Sequence, residues 1–140
     1  MSDRIDRGGW SLCAKAEGTA DAPALLMSNS LGATSAMWDR QAAALSAHLR
    51  VMRYDTRGHG ASDTPPGPYG FDDLVADAGA VMDHYGVQSA SYMGLSLGGM
   101  TGLGLALAAP GRVDRMIVAA ARADNPPPFV ASWDDRVAAI

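Results

Sequence analysis

Gly94-Leu95-Ser96-Leu97-Gly98 lies between an apolar run, Ser89 to Met93, and a stretch from Leu97 to Ala109 that is apolar nearly all round and stopped by Pro110-Gly111. The run reads as a strand and the stretch as a helix, so Ser96 falls at a strand-to-helix turn. Glycines two positions to either side leave room for a sharp turn, which exposes the serine oxygen at the carboxyl end of a sheet. A helix starting at Leu97 would aim its free N–H groups at negative charge developing beside that oxygen. Ser96 is therefore the candidate nucleophile. The rival reading is an ordinary turn with Ser96 as a helix N-cap. Gly98, Gly99, Gly102 and Gly104 would each cost about 1 kcal/mol relative to alanine in an exposed helix, so their presence predicts close approach of backbones.

Upstream, Ala24-Leu25-Leu26-Met27-Ser28 is a continuous apolar run, as expected of a strand buried on both faces. Trp38, Ala42, Leu45 and Leu49 follow at helical spacing, and Arg50 to Asp55 reads as the next strand. Arg57 to Asp63 and Pro65-Pro66-Gly67-Pro68 form a loop. Phe71, Leu74, Val75, Ala78, Val81, Met82 and Tyr85 give the best helical stripe, with Asp72, Asp73, Asp77 and Asp83 largely off it and Gly86 placed to end the helix. Val113 to Ala121 is the last expected strand. Pro126-Pro127-Pro128 breaks the chain, and Trp133 to Ile140 begins one more helix. This alternation predicts an α/β fold: an open, mostly parallel, doubly wound sheet with crossover helices, in one domain over residues 1–140.

Composition narrows the partners. The 140 residues are 48% hydrophobic with a net charge of −4, which gives no reason to expect nucleic acid or an anionic membrane surface. The single cysteine, Cys13, permits no internal disulfide and fits a reducing compartment. The charged N-terminus has no apolar run behind it, and no window reaches the roughly 18 apolar residues of a membrane span, so a soluble cytoplasmic protein is expected. A phosphate-binding loop would need a lysine near its end, and the only lysine is Lys15. Gly102-Leu103-Gly104 opens a dinucleotide-like glycine pattern, but Leu107 fills the third place and the stretch lies inside a helix. No histidine pair has metal-site spacing. No metal or cofactor is expected.

Ser28-Asn29-Ser30-Leu31-Gly32 leaves the first buried strand where a second oxyanion donor would be needed. The backbone N–H groups of Leu31 and Leu97 are the candidate pair; the rival reading for the first is a simple turn closed by Gly32. His48, His59 and His84 all precede Ser96, whereas chains built on this turn order their catalytic residues as serine, acid, histidine. His48 and His84 read as solvated residues near helix ends. His59, between two glycines on the functional edge of the sheet, is the one to watch.

The chain resembles the α/β-hydrolase superfamily over essentially its whole length, and within it the 3-oxoadipate enol-lactonases. The likeness is carried by Ser28-Asn29-Ser30-Leu31-Gly32, Met37-Trp38-Asp39, the run Arg53 to Asp63, Pro65-Pro66-Gly67-Pro68-Tyr69 and Gly94 to Met100. The resemblance implies Ser96 as nucleophile, Leu31 and Leu97 as oxyanion donors, a small ester or lactone as substrate and no cofactor. The implied reaction is ring opening of a carboxylate-bearing enol-lactone in aromatic-acid catabolism. Family members are about twice as long. Only their N-terminal half is resembled, without the cap, the last strands, the catalytic acid and the histidine. We therefore expect the 140 residues alone to be inactive on esters and lactones and unlabelled by a fluorophosphonate probe. Asp124 is a minor candidate for the acid, and Arg136 reads as a surface arginine that could meet a substrate carboxylate; no substrate-binding residue is assigned. The alternatives are a carboxylesterase, a cofactor-free haloperoxidase, or a non-catalytic half-domain that associates through the bare edge of the strand at Val113 to Ala121.

Overall fold

The computed structural model describes residues 2–124 and 126–138. Its strands are β1 (Asp3–Asp6), β2 (Ser11–Glu17), β3 (Ala24–Ser28), β4 (Arg50–Tyr54), β5 (Ala90–Leu95) and β6 (Val113–Ala119). They form one sheet in the order β1-β2-β4-β3-β5-β6. β3 pairs in parallel with both β4 and β5, and β5 with β6, while β2 runs antiparallel to β1 and β4. The expected mostly parallel sheet is there, with two added antiparallel strands that continuous apolar runs do not reveal. Leu12 and Ala14 are buried while Cys13 and Lys15, one position after each, are only partly so, the period of two that marks a strand with one face covered.

Helices cover both faces. α2 (Phe71–His84) and α3 (Leu97–Ala108) pack on one core, around Leu26, Met52, Tyr54, Val81, Tyr92 and Leu105. On the other face Trp38 and Ala42, from a 3-10 turn (Ser35–Trp38) and α1 (Asp39–Leu45), pack on Leu25, Met27 and Val51. α1 stops at Leu45 rather than Leu49, because the chain must turn to enter β4 at Arg50; the N–H groups of Ser46 and Leu49 close that turn on Ala42 and Leu45. α4 (Pro127–Ala138) begins earlier than Trp133. Pro127 and Pro128 occupy its first turn, where a missing N–H costs no hydrogen bond, so the proline run starts a helix instead of only breaking one. The expected end of that helix at Ala139 and Ile140 lies outside the described residues. No described helix is long and apolar enough to cross a membrane.

Two details differ from the periodicity. Asp77 lies on the buried face of α2 at 0% exposure, because Arg57 reaches it from the loop after β4. Phe71, the first residue of the stripe, is exposed and borders the cavity described below. β6 forms one edge of the sheet, with Ile117 56% exposed.

Candidate active site

Ser96 follows directly on β5 and holds φ 52°, ψ −115°. That is the mirror image of the first central position of a type II turn, a conformation normally left to glycine. Its N–H donates to the carbonyl of Ala119 on β6 at 2.8 Å, and its carbonyl accepts the N–H of Met100 at 3.0 Å. The side chain makes no capping bond to α3, which removes the N-cap reading, and the hydroxyl has no hydrogen-bond partner among the described residues. A side chain cannot be added at the flanking glycines. A Cβ on Gly94 would stand 2.6 Å from the N of Gly99, and one on Gly98 would strike the carbonyl of Ser28 and stand 2.7 Å from that of Asn29. The close approach expected of the glycines in α3 is thus real, and at Gly98 it has a specific result: the first turn of the helix rests on the base of the Ser28–Gly32 loop.

That contact brings the three candidate residues together. Ser96, Leu97 and Leu31 border one cavity of about 510 Å³, which Phe71, Phe129 and Trp133 also line. Beneath it a buried polar cluster ties the strands to the turn. Tyr92 donates its O–H to the carbonyl of Gly98 at 3.0 Å, the hydroxyls of Tyr54 and Ser28 are bonded at 3.0 Å, and Asn29 donates Nδ2–H to the carbonyl of Tyr54 at 2.8 Å. Burial pushes the Tyr54 phenol up to about 12 and the Tyr92 phenol well above its ordinary value, so both act as neutral hydrogen-bonding groups.

The Arg53–Asp63 stretch acquires physical roles that its motif alone does not disclose. Asp55 is buried and accepts two backbone N–H groups, from Ser35 at 2.7 Å and Ala61 at 2.9 Å, so one carboxylate joins the exit of the Leu31 loop to the loop after β4. Arg57 makes a two-pronged pair with Asp77, at 2.6 and 2.9 Å, and a further pair with Asp73 at 2.9 Å. The Asp73 carboxyl is held below its usual range, chiefly by the N–H of Gly70 and then by Arg57. Ser62 receives the N–H of Cys13 at 2.8 Å and donates to the carbonyl of Asp55. His59 accepts the N–H of Gly32 on Nε2 at 3.0 Å, while its Nδ1 lies 3.0 Å from the carbonyl of Arg57.

Of the other candidates, His48, His84 and Asp124 do not border the cavity, whereas Arg136 does. His84 sits 3.7 Å from Asp3 and edge-on to Tyr85, and His48 is exposed just after α1. Asp124 is exposed and paired with Arg122 at 3.1 Å, with no histidine as partner. Arg136 is exposed on α4, stacked 4.7 Å over the ring of Trp133, at the border of the cavity. Ser96, Leu31 and Leu97 thus share one cavity, and no histidine is among its described lining residues.

The comparisons with known proteins agree with this geometry. A 3-oxoadipate enol-lactonase 2 from Acinetobacter baylyi is 49% identical over 102 residues, which cover 73% of this chain and 38% of that protein. RutD of Caulobacter segnis, named as a candidate carbamate hydrolase, is 37% identical over 115 residues, 81% of this chain and 43% of that protein. The crystal structure of a hydrolase from Pseudomonas aeruginosa PA01 superposes with a TM-score of 0.90 at 45% identity, covering 99% of this chain and 52% of that one. The chain therefore spans 38% to 43% of the length of these curated relatives and about half of the solved one. The profile of the alpha/beta hydrolase fold matches residues 23–140, from the strand that precedes the Leu31 loop onward, and the chain belongs to that family.

Proposed function

We propose that Ser96 is the nucleophile of a hydrolase acting on small carboxylic esters or lactones, and that the substrate is a carboxylate-bearing enol-lactone of the 3-oxoadipate type. The observation that carries this reading is the free Ser96 hydroxyl on a positive-φ turn, bordering one cavity with Leu31 and Leu97. The serine oxygen adds to the lactone carbonyl, and the negative charge moves to the carbonyl oxygen, where the N–H groups of Leu31 and Leu97 stabilise it. Collapse breaks the ring C–O bond. The released enol oxygen takes up a proton and tautomerises to a ketone, and water then frees the acyl group from Ser96. The serine proton needs an acceptor. None of the three histidines borders the cavity, so a polypeptide of these 140 residues should turn over neither esters nor lactones; loss of the histidine costs about a million-fold in the best-studied case. The lactone is favoured by the 49% identity to an enol-lactonase.

A chimera tests this reading. Residues 1–140 would replace the matching segment of the Acinetobacter baylyi enol-lactonase, and loss of 3-oxoadipate enol-lactone would be followed by ultraviolet absorbance. Hydrolysis that disappears with Ser96→Ala is expected. A folded but inert chimera, or one indifferent to Ser96→Ala, refutes the proposal. Faster hydrolysis of p-nitrophenyl acetate than of the lactone would favour the carboxylesterase reading.

A further inference from the structure

We infer that Arg122 determines substrate specificity, pairing its guanidinium with a carboxylate that the substrate carries apart from its reacting carbonyl. The inference rests on the hydrolase reading proposed above and names the residue that would recognise the acid. Ala119 is the last residue of β6, in register with Leu95, and its carbonyl accepts the Ser96 N–H at 2.8 Å. The next residue, Ala120, holds φ 47°. Ser96 and Ala120 are the two described residues other than glycine at positive φ, and both border the same cavity. Such a conformation is strained and persists where the surrounding structure enforces it, commonly at ligand sites. Its effect here is geometric. Successive residues of an extended strand point to opposite faces, yet Ala120, Ala121 and Arg122 border the cavity one after another. The turn thus delivers Arg122 to the cavity three residues beyond the strand position that holds the backbone of Ser96.

The surroundings of Arg122 suit a carboxylate. Apart from Ser96, the border of the cavity is apolar except for Arg122, Asp134 and Arg136. The Arg122 guanidinium lies over the ring of Phe129, 5.4 Å from its centre, and Phe129 borders the cavity too. A guanidinium held by its face keeps its N–H edges available for two-pronged recognition of a carboxylate. Among the described residues Nη2 is its one nitrogen with a partner, the Asp124 carboxylate at 3.1 Å. Both members of that pair are exposed, so it contributes little, and exchanging Asp124 for a bound anion costs little. Arg136 is the rival. It stacks on Trp133, but α4 has no buried residue, so Arg136 lacks the strand pairing that fixes Arg122 relative to Ser96. Asp134, on the same helix, also places a like charge on that side of the cavity, which disfavours an anion there.

The lactonase chimera tests this, because it reads residues 1–140 within a complete hydrolase. Arg122→Ala should lower kcat/KM for the carboxylate-bearing lactone about ten- to a hundredfold, chiefly through KM, as the loss of a charge-assisted hydrogen bond would. Toward the same lactone with its carboxylate converted to a carboxamide, the variant should stay within about twofold of wild type. Arg122→Lys, which keeps the charge but not the fork, should recover part of the loss. Adipate is not hydrolysed and gives a readout independent of turnover: calorimetry should show it binding the wild-type chimera, and Arg122→Ala about tenfold more weakly. Equal losses on the acid and the amide overturn the proposal, because Arg122 would then support the fold rather than read the charge. A wild-type chimera that binds no adipate overturns it too, as does an Arg122→Ala variant that binds adipate equally well. So does a loss found in Arg136→Ala and absent from Arg122→Ala. A wild-type chimera that hydrolyses neither ester nor lactone instead overturns the hydrolase reading, and the adipate titration still decides whether Arg122 reads a carboxylate.

Discussion

Replacing Ser96 by glycine should make the chain more stable than replacing it by alanine. The serine holds φ 52°, ψ −115°, and a residue with a Cβ kept at positive φ costs about 1–3 kcal/mol. Alanine retains the Cβ and hence the strain, whereas glycine relieves it. Against that gain, glycine adds freedom to the unfolded chain worth about 0.4–1 kcal/mol. The difference centres near 1 kcal/mol in favour of Ser96→Gly, or a rise of about 4 °C in melting temperature for a chain of this size. Because the Ser96 side chain makes no capping bond, Ser96→Ala itself should stay within about 0.5 kcal/mol of wild type. Thermal melts followed by circular dichroism, with urea titrations to confirm an unchanged slope, would measure all three proteins. A Ser96→Gly variant no more stable than Ser96→Ala would show that the turn stores no strain at this residue. A loss of about 1 kcal/mol in Ser96→Ala would restore the N-cap reading. Either result refutes the elbow on the isolated chain, without any assay of activity.

Gly98→Ala should destabilise by about 1–3 kcal/mol because its Cβ meets the backbone of Ser28 and Asn29, whereas Gly79→Ala, in α2 with open space around it, should add up to about 1 kcal/mol; urea unfolding reads both. In the chimera Leu31→Ala should keep kcat within about tenfold, because the donor is the backbone N–H, and steady-state kinetics showing a larger loss would mean that the side chain matters for more than donation. Stability should fall as pH rises above about 10, where the unfolded tyrosines ionise, and continue to fall toward 12, where folded Tyr54 does; below 10 this contribution is fully present. The two-unit gap corresponds to about 3 kcal/mol, so Tyr54→Phe should flatten the alkaline limb of a pH–stability profile, and an unaltered limb would refute the burial argument. Asp77→Ala should cost about 3 kcal/mol by leaving buried Arg57 without its two-pronged partner, against about 1 kcal/mol for the more exposed Asp73→Ala; denaturant titrations giving the reverse order would contradict the assignment.

The parallel core was legible because strands buried on two faces must be apolar at every position, and Leu25 to Met27 and Val51 to Met52 leave no other economical reading. Continuous apolar runs cannot reveal β2, because it alternates: Leu12 and Ala14 are buried, whereas Lys15 and Glu17 stand on the partly covered face and pair with Asp39 and Arg53. Ser96 was legible from its glycines, since those glycines answer a steric demand that any sequence adopting the turn must meet. Asp77 was misplaced by its own period: the charge belongs on the buried face because a cation arrives from residue 57, twenty positions earlier. Likewise the bond from Gly32 to His59 joins two loops separated by a whole strand and helix. Local spacing finds a residue that satisfies its neighbours in sequence, and it cannot find one whose partner is brought in by the fold.

The two halves of the chemistry therefore differ in where their information resides. Oxyanion stabilisation uses main-chain N–H groups, which every residue but proline possesses, so its specificity must come from whatever orients them. Around the donors proposed here, the contacts are Gly98 against Ser28 and Tyr92 on Gly98. Proton transfer from Ser96 instead requires one particular side chain at hydrogen-bond distance, and no arrangement of backbone replaces it. On the proposed reading, strain at Ser96 reports on the first half alone, whereas kinetics in the chimera report on both. A variant that leaves the former unchanged and abolishes the latter would separate chemistry from geometry within one active site.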